Sequence, residues 1–99
     1  MALEPRFANE AETEFDDAAA WIEERNPAVA ARFVEHVHEV VGRICRRPTQ
    51  FPKVDEEHRS ALVPKSKYVV IFRVEGDVAV IVAVMHASRQ PEYWRGREE

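Results

Sequence analysis

The chain has 99 residues, 14 of them basic and 18 acidic, for a formal net charge of −4. That length bounds it to a single domain, 1–99, with a modest core, and 45% hydrophobic with 32% charged residues is ordinary for a globular chain. The acidic balance excludes broad, nonspecific nucleic-acid binding, which draws on many cations facing phosphate, while leaving room for a small local basic site. The single cysteine, Cys45, cannot form an internal disulfide, and no Cys/His pattern has metal-ligand spacing. No glycine-rich phosphate loop, nucleophile elbow or HExxH is present, so no cofactor is expected. The first residues lack a signal-peptide pattern, and the longest apolar run is too short to span a bilayer. A cytoplasmic location and no membrane partner are the expectation.

In chain order, residues 3–8 suit a short strand. Asn9 is a candidate N-cap, with Glu12 three positions on as in a capping box. Ala11, Phe15, Ala18 and Ile22 then fall on one helical face, which predicts a helix over 9–25. Its early turns are acidic, as the helix dipole favours, and the simplest reading is a solvated face. Asn26-Pro27 breaks that helix and starts another over 27–47. Ala30, Phe33, Val34, Val37, Val41 and Ile44 form its stripe, and Pro48 and Pro52 stop it. Strands follow at 59–63, 68–74 and 78–86, with a tight turn at Glu75-Gly76-Asp77. The last strand, Val78 to Met85, carries no charge and is apolar on both faces, as a central strand requires. The expected fold is α+β: an N-terminal helical hairpin packed on a small, mainly antiparallel sheet. Val70, Phe72, Val80 and Val82 are expected to meet the helices.

That central strand delivers His86, Arg89, Tyr93 and Trp94 to one end of the sheet. His86, in register with Val80, Val82 and Val84, could act as acid or base, or simply bond a carbonyl and close the sheet. Arg73 could bind a phosphate or carboxylate bidentately, or pair with an acid from a helix, and Arg59 could do the same. Arg89 lies in a loop, where binding residues concentrate. Tyr93 and Trp94 could anchor a partner, or Trp94 could plug the space between sheet and helix. Trp21 lies off the main stripe of its helix and either flanks the core or presents an exposed apolar site.

Tyr68-Val69-Val70-Ile71-Phe72-Arg73-Val74, a short turn, a Val-rich strand and then His86-x-x-Arg89-x-Pro91-x-Tyr93-Trp94 resemble the C-terminal half of the RelE/ParE toxins of bacterial toxin–antitoxin pairs. Asn26-Pro27, Arg32-Phe33, Pro48, Phe51-Pro52 and Arg59 extend the resemblance over nearly the whole chain. It is closer to the ParE branch. RelE-like members cleave messenger RNA on the ribosome with basic residues on the strands and a Tyr near the C-terminus. At the corresponding positions this chain has Ser60, Leu62, Val69 and Ala87. The resemblance therefore implies a ParE-like toxin with no catalytic residue. Its partners would be DNA gyrase and a cognate antitoxin, met by a helix in a groove or a strand on an exposed edge. Trp21, Arg59, Arg73, Arg89, Tyr93 and Trp94 are the candidate contacts. The alternatives are an RNA-cleaving site built from His86, Arg89 and Tyr93, or a non-toxic antitoxin-binding member.

Overall fold

A computed structural model describes residues 2–97. Its elements are β1 (Glu4–Phe7), α1 (Asn9–Arg25), α2 (Pro27–Arg46), β2 (His58–Leu62), β3 (Tyr68–Glu75) and β4 (Val78–His86), with 3₁₀ turns at Pro48–Gln50 and Pro91–Tyr93. The sheet order is β1-β4-β3-β2. β1 runs parallel to β4, and the other neighbours are antiparallel. The α+β architecture read from the sequence is the one observed, and β4 is central as its all-apolar composition requires.

Local chemistry explains most boundaries. Asn26 caps α2: its Oδ1 accepts the Ala28 and Val29 N–H groups at 3.1 and 3.3 Å, and Pro27 follows at the first helical position. The β3–β4 turn needs Gly76, whose φ is +61°. The start of α1 differs from expectation. Its N-cap is Ala8, which offers no side-chain cap, and Asn9 lies inside the helix. The Ala8 N–H is bound to the Ile81 carbonyl at 2.9 Å. This tertiary bond ends β1 and fixes where the helix begins, so the Asn9–Glu12 capping box does not form.

The main core lies between the helical hairpin and one face of the sheet. Phe33, Val37 and Ile44 from α2 meet Val70, Phe72 and Ile81 from the strands. Val80 and Val82, expected here, instead join Ile71, Met85 and Trp94 on the opposite face. The cause is a bulge. Ile71 pairs with Ala83 and Phe72 with Ile81, so Val82 has no partner and the alternation of β4 reverses across it. His86 consequently shares a face with Val84 but not with Val80 or Val82.

Phe33 is 4% exposed and touches the rings of Phe15 and Tyr68 at 6.0 and 5.2 Å. Replacing it with Ala should cost about 3–5 kcal/mol, the range for buried aromatic truncations. Urea denaturation of the variant checks this, and a loss under about 1 kcal/mol would contradict the assigned core.

Candidate functional site

β4 outruns its parallel neighbour. Pairing with β1 ends at Ile81, yet β4 continues to His86. One edge of β4 beyond Ile81 therefore lacks a strand, and unpaired backbone groups there would be costly. Two side chains fill the gap. Glu14 of α1 accepts the Val84 N–H on Oε1 at 3.0 Å. Arg97, beyond the last 3₁₀ turn, donates to the Val82 carbonyl at 2.9 Å. The two also form a forked ion pair with each other, at 3.2 and 2.6 Å. Arg97 reaches Glu10 at 3.6 Å as well.

The electrostatics follow from this packing. Burial pushes the Glu14 carboxyl up, but hydrogen bonds from Arg97, Tyr93 and the Val84 amide outweigh it and hold the group below its ordinary value. The Tyr93 hydroxyl is raised, first by its hydrogen bond to Glu14 and then by burial. The same Glu14 bond raises Arg97. Nothing in the sequence pattern set Glu14 apart from the other acids of α1, whose placement the helix dipole already explained.

Beside this clamp lies an open groove of about 660 Å³, lined by α1, the start of α2, the β2–β3 turn and the end of β4. Trp21, Ile22 and Val29 supply apolar wall. Trp21 is 55% exposed, with the Arg25 guanidinium 3.6 Å from its ring centre. Glu14 and Asp17 stand on the α1 side, and Lys65, Lys67 and Arg89 add positive charge. His86, Arg89 and Tyr93 all border this groove, so the structure brings the three together. Their chemistry is already engaged. His86 Nδ1 accepts the Ser88 N–H at 3.2 Å and meets the Ser88 hydroxyl at 2.8 Å. The acceptor nitrogen of the neutral ring is thus occupied. Tyr93 lies between two guanidiniums, with Arg89 and Arg97 carbons 4.5 and 4.9 Å from its ring centre.

The remaining candidates lie elsewhere. Arg59 donates to the Phe51 carbonyl at 2.7 Å. The edge of its strand is partly covered, since Ser60 N–H bonds the Pro52 carbonyl at 3.0 Å. Arg73 pairs with Glu75 on its own strand at 3.0 Å. Trp94 is 3% exposed and packs on the sheet face away from the helices, not between sheet and helix. It sits against His58, 4.7 Å between ring centres. His58 Nδ1 is itself held by Asp55 at 2.9 and 3.2 Å, a pair the sequence reading missed because a turn closes it. On this outer face Ser60, Val69, Met85, Ala87 and Arg89 converge on a cavity of about 390 Å³.

The family model for the ParE toxin of the type II toxin–antitoxin system, parDE, matches residues 6–91. The chain belongs to this family. Among solved structures, it is similar to a chain of the chromosomal ParDE toxin–antitoxin system from P. aeruginosa, with a TM-score of 0.74 and 17% identity over 86% of this chain and 96% of that one. It is also similar to a chain of the toxin–antitoxin complex RelBE2 from Mycobacterium tuberculosis, with a TM-score of 0.58 and 20% identity over 87% and 99%. At these identities the likeness speaks to fold. Comparison with curated proteins finds no match.

In this ParE-family fold the clamp makes stability pH-dependent. The folded Glu14 pKa lies below its ordinary 4.5. Its contribution is therefore fully present above that value and is lost as pH falls through the folded pKa. Glu14→Gln should cost about 2 kcal/mol at neutral pH, the scale of a charged hydrogen bond. Urea midpoints measured from pH 7 to 3 should show variant and wild type converging in acid. Parallel curves would show that Glu14 carries no such linkage.

Proposed function

We propose that this toxin acts by binding a protein target, DNA gyrase, without cutting RNA, and that a cognate antitoxin neutralises it by occupying the groove beside β4. The reading rests on the outer-face cavity. Positions where RelE-like nucleases place strand charges and a second Arg are here Ser60, Leu62, Val69 and Ala87, and all but Leu62 line one cavity. A phosphodiester transition state gathers negative charge and needs fixed positive charge around one phosphate. Arg89 and Arg95 are the cations on that cavity, and the strand residues that line it, Ser60, Val69, Ile71 and Met85, are uncharged.

A second reading has one observation in its favour: His86, Arg89 and Tyr93 share the groove. Against it, the acceptor nitrogen of His86 is already engaged by Ser88. Expression in bacteria discriminates the two. Gyrase poisoning predicts inhibited supercoiling and a DNA-damage response, with intact messenger RNA. Ribosome-dependent cuts that disappear in His86→Ala or Arg89→Ala would move the assignment to the nuclease reading.

The groove favours an amphipathic antitoxin segment. Its apolar stripe would meet Trp21, Ile22 and Val29, with basic residues toward Asp17 and acidic ones toward Lys65 and Lys67. Trp21 is more exposed than Tyr93 at this surface, and tryptophan is a residue type that often dominates binding energy. Trp21→Ala should weaken binding of the adjacent-gene antitoxin at least tenfold, about 1.4 kcal/mol, without lowering the thermal midpoint. Calorimetric titration checks this, and unchanged affinity would remove Trp21 from the interface.

A further inference from the structure

The groove is a composite of two parts. Trp21, Ile22 and Tyr68 come from the body of the fold, whereas Arg89 and Tyr93 come from the segment after β4. That segment, 87–97, crosses from the end of β4 over the outer sheet face. Three attachments hold it. Near its start, the Ala87 N–H bonds the Lys67 carbonyl at 2.7 Å. In the middle, Trp94 is buried against Ile71, Val80, Val82 and Met85, and Arg95 lies over its ring at 5.3 Å, with a 3.4 Å bond to the Val54 carbonyl and a 3.9 Å approach to Asp55. At the end, Arg97 and Glu14 are clamped with side chains 11% and 14% exposed.

Glu14 belongs to both systems. It lines the groove, binds the backbone of β4 at Val84, and holds Arg97, whose guanidinium lies over the Tyr93 ring. With the clamp open, the Tyr93 ring loses the Arg97 guanidinium held 4.9 Å from its centre, and the wall it forms loses its position. We propose that residues 87–97 form a strap that completes the partner-binding groove only while Glu14 and Arg97 are joined, so that groove occupancy and strap closure stabilise each other. The inference rests on the groove being the antitoxin site. The reason is linkage. A partner touching both walls gains its full contacts only with the closed state, so binding favours closure, and opening lowers affinity by the fraction of molecules open. Glu14 and Arg97 are positioning residues here, because the groove residues Trp21, Tyr68 and Tyr93 would make the contacts.

Hydrogen exchange resolved by residue tests both halves. In the free protein, Arg97→Ala should speed exchange of the Val84 amide and of residues 93–97 roughly ten- to hundredfold, the factor for losing a charged hydrogen bond. Exchange in α2 should stay unchanged, which separates strap opening from global destabilisation. Unchanged exchange at 93–97 would show that Trp94 alone holds the segment and would overturn the proposal. In the complex with the co-expressed antitoxin from the adjacent gene, residues 94–97, outside the groove lining, should exchange at least tenfold more slowly than in the free toxin. Unchanged or faster exchange there would overturn the coupling, faster exchange marking a displaced strap. If the wild-type toxin takes up no antitoxin, the groove reading fails and this inference with it, while latch-dependent exchange in the free protein still reports the strap.

Discussion

The structure turns on a mismatch in strand length. β1 covers β4 only as far as Ile81, and the remaining edge of a fully apolar central strand must find partners without a further strand. Bare backbone groups at that depth would cost several times the net value of an ordinary hydrogen bond. Glu14 and Arg97 act together as a surrogate strand, one accepting from Val84 and the other donating to Val82. Joining them neutralises both charges in the same place, which is what makes their partial burial tolerable. The acidic helix α1, the sheet and the C-terminal segment are thereby tied through a single pair. The position of Tyr93, and through it the shape of the groove, follows from that tie.

Much of the fold was legible because its signals were periodic. The α1 and α2 stripes, the Asn26-Pro27 break, the Gly76 turn and the charge-free run of β4 each state a local preference that the tertiary structure keeps. What escaped was not periodic. The bulge at Val82 cannot be read from a run of Val, Ile and Ala, since both faces of such a run are apolar and a reversal leaves no trace. It moved Val80 and Val82 to the outer face and separated His86 from them. The Ala8 cap escaped because a hydrogen bond to Ile81, distant in sequence, set it. Glu14 escaped because its local placement already had a sufficient cause in the helix dipole. Its second role depends on residues 70 and 83 positions away.

The candidate site was legible in part. The sequence placed His86, Arg89 and Tyr93 at one sheet end, and they do share a groove. It did not separate them from Trp94, which leaves that cluster for the opposite face and becomes core. The difference comes from the 3₁₀ turn at Pro91–Tyr93. Within a tight turn, adjacent residues point in very different directions, and Tyr93 faces the groove while Trp94 faces the sheet. Arg59 and Arg73 were read as free to pair or bind, and nearby chain satisfies both of the observed contacts, a carbonyl for one and Glu75 for the other.

The outer face shows how a short strap covers a sheet. Among the described residues, one indole on a short strap packs over Ile71, Val80, Val82 and Met85. That cover meets small and apolar neighbours on one side and His58 and Arg73 on the other. A lysine or arginine at Val69 or Ser60, beside the indole, would have to be desolvated under the strap or would hold it open. Trp94 is seated there at 3% exposure, so a cation introduced at Val69 or Ser60 would compete with the indole for that face. Trp21, Arg89 and Tyr93 stand at the rim, bordering the groove.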